Sequence, residues 1–432
     1  MDGSLVGYRS HSILCYGTNS ANCISAVKCG KHRQSDLIIW RQTGISTDGR
    51  FFDCKGHRKG KSSQTIRVKH TKAGGDKPKN IILGFIIVTG GMSAWITNTA
   101  TVLLILPIAI AVVSQVGDSS KKGKFATCLI LCVAYSASLG GLATLIGTPP
   151  NAIFGSLSES IGGVSISFFD WMLIGVPISV VSLFVLWIYM TTATRLDNKP
   201  ILKNKDVVIQ ELKNLGNWTR NEKIVLVIFV ATAIAWVTRG LLWKDLAPFV
   251  GDHVIAIVAV VVLLMLPSGK KRQRLLDVKT ASKIPWGVLL LIGGGLALAG
   301  GFTATGLDMW IADKMMFLDG MDYIVIILVI VTITIFASEL MSNTAVAALL
   351  LPIMAVLGTT TDIDPILLMA PVAFATSYGF MMPVGTPPNA IAIGSGHVSP
   401  KQMARFGLPF DLICIPLVTV MMVFLLPLVW AR

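Results

Sequence analysis

Two short sequences rich in hydroxyl and amide side chains occur twice in this chain, in the same order. TNTATVLLILPI (Thr97 to Ile108) is followed by LIGTPPNAI (Leu145 to Ile153), and SNTAVAALLLPI (Ser342 to Ile353) by PVGTPPNAI (Pro383 to Ile391). Asn98 and Asn151 stand 53 residues apart, Asn343 and Asn389 46. Either motif alone would be read as a local cap or kink; paired and repeated at matching offsets, they make an internal repeat. All four lie in apolar sequence, and a chain break at mid-membrane depth exposes backbone groups that lipid cannot satisfy. Such a break persists only where it is buried in protein or lines a wet cavity. Ser, Thr and Asn can serve that backbone or a ligand. Helices starting at the breaks would aim unpaired N–H groups and positive dipole ends into the cavity, which suits a carboxylate. Carbonyl and hydroxyl oxygens at the same breaks can replace the hydration shell of a sodium ion.

Fixed charge is nearly absent from the same segments. Residues 81–113, 125–157 and 366–395 contain no Asp, Glu, Lys or Arg. A dianion held there would be balanced by helix ends and co-bound cations rather than by an arginine clamp, which favours a cation-coupled carrier. The exception is Glu339, three residues before Ser342. An ionisable residue inside a membrane is a functional candidate by default, yet Glu339 could equally hold its hairpin by pairing with a backbone amide or a basic side chain.

The elements that must position these motifs are apolar. The chain of 432 residues is 53% hydrophobic and 14% charged, with apolar runs of about twenty residues, the length of a membrane span. The runs are 81–113, 125–157, 168–190, 222–243, 251–267, 285–303, 321–358, 366–395 and 406–430. Four of them (81–113, 125–157, 321–358, 366–395) exceed a simple span and carry polar Gly, Pro, Asn and Thr interruptions. They are expected to be re-entrant hairpins or broken helices in an all-α membrane protein. Basic loops, 191–221 with Arg195, Lys199, Lys203 and Lys205 and 268–283 with Lys270, Lys271, Arg272, Arg274, Lys279 and Lys283, should be cytoplasmic. Loops 304–320 and 359–365 carry Asp308, Asp313, Asp319, Asp362 and Asp364 instead. This arrangement closes only if 81–113 and 321–358 each enter and leave on one side, from opposite faces, as an inverted repeat requires.

The expected organisation is a segment 1–80, first-repeat elements in 81–190, a cytoplasmic linker 191–221, scaffold helices in 222–303, and second-repeat elements in 304–432. The net charge of +14 is concentrated in residues 1–80, where 15 Lys and Arg face 5 Asp and Glu; the basic loops report orientation, and no nucleic-acid partner is inferred. That segment lacks signal-peptide features and is expected to be disordered or foreign to the fold. Its pairs Cys29/His32 and Cys54/His57 could in principle make a tetrahedral zinc site, but their separation fits no common finger and coincidence is the preferred account. Cys15, Cys23, Cys128, Cys132 and Cys414 complete the seven cysteines, with no disulfide framework.

With IPWGVLLLIGGGLALA (Ile284 to Ala299), the two Ser/Thr-Asn-Thr hairpins and the two GTPPN breaks, the region 81–432 closely resembles the divalent-anion/sodium symporter family, which includes bacterial dicarboxylate and animal di- and tricarboxylate carriers. The resemblance implies a first sodium site from Ser93, Thr97, Asn98 and the backbone near Gly147, and a second from Ser338, Ser342, Asn343 and the backbone near Gly385. It implies substrate carboxylates meeting Thr97, Asn98 and Thr99 on one hairpin and Ser342, Asn343 and Thr344 on the other, with Thr148, Pro149, Thr386 and Pro387 lining the cavity. It further implies a homodimer in a lipid bilayer, multi-pass in the plasma (inner) membrane, in which a transport domain moves like an elevator, with sodium as co-transported ion and no organic cofactor. Two departures stand out. Thr97 replaces the family's usual Ser, and symmetry asks for about three scaffold helices ahead of residue 81 that residues 1–80 do not supply.

Rival readings are a proton-coupled or exchanging carrier of sulfate or another divalent anion, an inactive truncated carrier, or a membrane-embedded hydrolase built from Ser, His and Asn. The last is disfavoured because His253 lies at a helix start and His397 in a loop, away from the repeated motifs.

Overall fold

The computed structural model describes residues 77–116, 119–160, 163–196, 219–243, 250–268, 274–282, 286–307, 310, 321–360 and 363–430. The CxxH pairs of residues 29–57, Lys199, Lys203, Lys205, Lys270, Lys271, Arg272, Lys283, Asp308, Asp313, Asp319 and Asp362 lie outside the described residues.

Every element of more than one residue among the described residues is helical. In chain order they are α1 (Pro78–Ser93), α2 (Asn98–Ser114), α3 (Ser119–Gly141), α4 (Pro149–Ser160), α5 (Phe168–Ala193), α6 (Arg220–Thr238) with a π turn Arg239–Trp243, α7 (Asp252–Met265), the single turn α8 (Val278–Ala281), α9 (Trp286–Thr305), α10 (Tyr323–Leu340), α11 (Asn343–Thr360), α12 (Pro365–Ala375), α13 (Pro387–Gly394) and α14 (Pro400–Val429). Helix, break, helix, helix, break, helix, long helix occurs twice, as α1–α5 and as α10–α14. The helices Phe168–Ala193, Arg220–Leu242, Tyr323–Leu340 and Pro400–Val429 and the segment Lys122–Gly141 are long and apolar enough to cross a membrane.

Capping chemistry sets the boundaries. Ser167 with Asp170, Thr219 with Glu222 and Ser399 with Gln402 form reciprocal capping boxes that start α5, α6 and α14, so α14 begins at Pro400, ahead of the apolar run at 406. Pro78 likewise starts α1 inside the polar segment, because a proline at the first helical turn forfeits no internal hydrogen bond.

Packing is closest where glycines remove side chains. A Cβ on Gly140 of α3 would strike the backbone of Gly90 on α1. α3 is almost wholly enclosed, with Phe125, Leu129, Cys132 and Tyr135 fully buried. α6, α7 and α9 instead keep apolar side chains such as Val227, Ile257 and Leu290 exposed, as a lipid-facing or subunit-facing surface would. An ion pair ties the end of α6 to the start of α7, Arg239 Nη1 lying 3.0 Å from Asp252 Oδ1, and Asp252 Oδ2 links both to the core by accepting the N–H of Phe168 at 2.8 Å, at the start of α5, while α9 packs on α11.

Candidate functional site

The first repeated motif starts a helix. Thr97, in extended geometry, caps α2 by accepting the N–H of Ala100 at 3.4 Å, and Ser342 caps α11 by accepting that of Ala345 at 3.3 Å. The substitution of Thr for Ser at 97 therefore keeps the cap.

The second motif makes and holds a break. In both copies the asparagine amide reaches back over the interruption: Asn151 Nδ2 donates to the carbonyls of Gly141 (3.1 Å) and Thr144 (2.8 Å), and Asn389 Nδ2 to those of Gly379 (3.1 Å) and Met382 (3.0 Å). The paired prolines begin α4 and α13, where no N–H is needed. One side-chain amide thus serves two carbonyls in the stretch between the half-helices, which lipid could not do.

Hairpin tip and break meet in each repeat. In the first, Ser93 Oγ donates to Asn98 Oδ1 at 2.8 Å. A Cβ on Gly141 would strike that same Oδ1, one on Gly147 would strike the Gly141 carbonyl, and Thr144 Oγ1 donates to the carbonyl of Ala94. Ser93, Asn98 and Gly147 thereby converge, with Thr97 beside them in sequence. In the second, Asn343 N donates to the Gly385 carbonyl at 3.3 Å, and a Cβ on Gly385 or Gly379 would press on the Ser338 carbonyl. Ser338, Asn343 and Gly385 thereby converge, while Ser342 is exposed at the tip. Asn343 Oδ1, Thr386 Oγ1, Asn151 Oδ1 and Asn389 Oδ1 are buried with no hydrogen-bond partner. Those oxygens are available to a cation or, in the case of the hydroxyl, to an anion.

The two clusters are assembled crosswise. α4, which starts at Pro149, packs on α11 of the other repeat, and α13, which starts at Pro387, packs on α2. Thr99 and Thr344, second in their helices, are half-buried, Thr148 and Thr386 are buried at the breaks, and Pro387 is exposed. No hydrogen bond links the first cluster's side chains to the second's among the described residues. Neither histidine joins them: His253 packs on Gly251 and His397 lies between α13 and α14.

Several contributors were not singled out from sequence. Thr89 and Thr334, each four residues before the hairpin serine, have buried hydroxyls without partners. Their matching position in the repeat is the signal that could have found them. Trp171 Nε1 donates to the Leu142 carbonyl (2.9 Å), Ser182 Oγ meets the Tyr378 hydroxyl (2.7 Å) and Tyr135 donates to the Phe380 carbonyl (2.8 Å), bracing both breaks. Glu339 accepts the backbone amides of Met381 and Met382.

Residues 65–431 match the family described as the sodium:sulfate symporter transmembrane region. The sodium-dependent dicarboxylate transporter SdcS of Staphylococcus saprophyticus is 39% identical over 365 residues, covering 82% of this chain and 70% of that protein. The transporter of the same name from Staphylococcus aureus is 38% identical over 367 residues, covering 82% and 71%. The crystal structure of the YdaH transporter from Alcanivorax borkumensis aligns over 85% of this chain and 82% of that one with a TM-score of 0.58 at 13% identity, a likeness of fold alone. With its apolar helices and its doubled hairpin-and-break core, the chain belongs to the divalent-anion/sodium symporter family, integral membrane transporters rather than enzymes.

Proposed function

We propose that the chain is a secondary active transporter that carries small dicarboxylates of the succinate, malate and fumarate type together with sodium across the plasma membrane. The observation that carries this reading is the doubled cluster of buried, under-satisfied oxygens with no fixed cation among the side chains that form it. Relatives bearing the name sodium-dependent dicarboxylate transporter support it. Sodium, as cargo, would be held by Ser93, Thr97, Asn98 and the Gly147 backbone in one repeat, and by Ser338, Ser342, Asn343 and the Gly385 backbone in the other. The substrate carboxylates would lie against Thr97, Asn98 and Thr99 and against Ser342, Asn343 and Thr344, with Thr148, Pro149, Thr386 and Pro387 as walls. Their charge would be balanced by the two cations and by the N-termini of α2, α4, α11 and α13. Sodium binding would draw Asn98 Oδ1 from Ser93 and give the unpartnered Asn343 Oδ1 a ligand, presetting the hydroxyls for the anion, which makes the two bindings mutually dependent.

The access change we infer is an elevator-like movement of α1–α5 and α10–α14, two inverted halves, against α6, α7 and α9. The crosswise packing of the repeats supports a common moving body, and the exposed apolar side chains of α6, α7 and α9 support a lipid-embedded homodimer. Uptake of labelled succinate into proteoliposomes tests the reading. An inward sodium gradient should drive accumulation, and sodium-independent uptake would sink the symport. The family description favours sulfate as a second cargo; sulfate taken up in preference to succinate would replace the dicarboxylate.

A further inference from the structure

Away from the two clusters, one end of the body formed by α1–α5 and α10–α14 is basic. Lys77 precedes α1, Lys124 lies in the second turn of α3, Arg195 follows α5, and Lys401 and Arg405 open α14, all five exposed. Hydrogen bonds between helices bring them to the same end. Trp187 Nε1 of α5 donates to the Lys79 carbonyl of α1 (3.0 Å), the Tyr189 hydroxyl of α5 to the Phe406 carbonyl of α14 (2.8 Å), and Gln402 Nε2 of α14 to Thr127 Oγ1 of α3 (3.4 Å). None of the five forms an ion pair among the described residues. The described carboxylates of this body lie elsewhere. Asp170 opens α5 at its other terminus, and Glu159 closes α4, whose Phe154 packs on Trp171 beside Asp170. Phe374 of α12 stacks on the same Trp171 and Tyr378 beyond it meets Ser182, so α12 runs along α5 and Asp364, which opens α12, stands at the far end with Asp322 of α10. Glu339 and Asp411 are buried.

The adjoining sequence keeps the sign: residues 117–124 hold three Lys against one Asp, and 195–205 four Lys or Arg against one Asp. On α6 and α8 the signs alternate instead, with Glu222 between Arg220 and Lys223 and Asp277 ahead of Lys279. The basic residues also stand over exposed apolar surface. On α14, Lys401 and Arg405 share a face with exposed Leu408 and Leu412; on α5, exposed Phe184 and Ile188 lie on one face and Arg195 at the end of the helix. An anionic phospholipid has the same order, with its charge at the surface and its acyl chains beneath. Trp187 and Tyr189, at the same level, are the residue types that membrane interfaces collect. Capture of free dianions is the poorer account, because α2, α4, α11 and α13, whose N-termini face the cargo clusters, contain no Lys or Arg.

We propose that this end binds anionic phospholipid of the leaflet beside it, cytoplasmic by the charge of the adjoining loops. Arg195, Lys401 and Arg405 hold the headgroup phosphates, and the exposed apolar faces of α5 and α14 take the acyl chains. Each Lys or Arg beside an anionic bilayer surface strengthens association about fivefold. The unmatched charges lie on α1, α3, α5 and α14 and not on α6, α7 or α9, so the attraction acts on where the body sits along the membrane normal. Anionic lipid draws the basic end to its leaflet and repels the acidic end from the other, which slows the passage of the cargo site across the membrane. That effect on transport rests on the elevator reading above; the binding does not.

Phosphatidylglycerol and phosphatidylcholine with the same acyl chains, differing in net headgroup charge, are the probes. Native mass spectrometry of the purified full-length chain should show phosphatidylglycerol retained about tenfold or more over phosphatidylcholine. The combined variant Arg195→Gln, Lys401→Gln, Arg405→Gln should lose that preference while keeping the circular dichroism of the wild type; should it fail to fold, Lys401→Gln with Arg405→Gln takes its place. Equal retention of the two lipids by the wild type, or an undiminished preference in the folded variant, would overturn the proposal. So would free glycerol phosphate binding as well as the lipid, which would mark a site for soluble anions. Retention is read without cargo, so its outcome is independent of the transport reading. Sodium-driven succinate uptake supplies the second readout: its maximal rate should fall several-fold when phosphatidylglycerol replaces phosphatidylcholine around the wild type and stay level in the variant. Equal lipid sensitivity of the two, or a variant changed only by a raised KM for succinate, would overturn the proposal, the latter by making the basic end a capture site for cargo.

Discussion

Asn98 and Asn343 occupy the same place in their hairpins but are held differently. Asn98 Oδ1 accepts from Ser93 Oγ, whereas Asn343 Oδ1 has no donor and Ser338 Oγ turns instead to the Thr334 carbonyl. Replacing a buried ligating or hydrogen-bonding group costs about 1–3 kcal/mol, so Asn98→Ala and Asn343→Ala should each raise the sodium concentration for half-maximal uptake roughly tenfold or more. Uptake kinetics at varied sodium will check this, and intact transport in either variant would remove these residues from the site. The break asparagines answer to a different measurement. Asn151→Leu or Asn389→Leu strands two buried carbonyls, each worth about 1–3 kcal/mol, and should appear as a lowered Tm in detergent before any change in ion preference. At this scale the repeated motif makes Thr97, Asn98, Ser342 and Asn343 legible, because polar groups recurring at fixed offsets in apolar sequence are costly in lipid unless backbone or ligand satisfies them. Asp411 escapes a reading by motif, although the argument applied to Glu339, a charge inside an apolar run, applies to it equally. Its Oδ1 accepts the N–H of Phe380, 31 residues away in sequence, and no spacing rule joins them.

Among the elements, the breaks were readable and their closeness was not. Polar interruptions within over-long apolar runs mark where α1 gives way to α2 and α12 to α13, and the caps at Thr97 and Ser342 follow from side-chain chemistry. Nothing local says that Gly141 faces Asn98 or that Gly385 faces the Ser338 carbonyl, since those approaches depend on how separate helices pack. Gly141→Ala is therefore expected to displace the Asn98 side chain and abolish sodium-dependent uptake while the protein still inserts and purifies as a helical membrane protein; full uptake by that variant would contradict the geometry. Gly140→Val acts on structure instead. Its side chain would force α3 from α1 at Gly90, with an overpacking cost of about 1–3 kcal/mol, visible as a lower Tm.

Across the whole molecule, the all-helical membrane class follows from composition and run length, but the attachment of α6 and α7 to the rest could not be foreseen. Asp252 opens α7 and Arg239 closes α6, and only the folded chain brings both to the N-terminus of α5. Removing Asp252 leaves a largely buried guanidinium without its partner, so Asp252→Ala should destabilise the protein by a few kcal/mol, and Arg239→Met combined with it should recover part of that loss in a double-mutant comparison of Tm. The crosswise seating of α4 on α11 and α13 on α2 bears on how such a chain is made. The first repeat emerges from the ribosome with its hairpin and break complete, but the helices that cover them follow only after residues 161–342 have been synthesised, a wait of roughly ten to forty seconds at ordinary elongation rates. During that interval a half-built cavity stands in the bilayer with no second wall. The clasp of Asn151 on Gly141 and Thr144 reaches back only within its own segment, so the break can close on itself at once, and the nascent protein needs no later partner to keep those carbonyls out of contact with lipid.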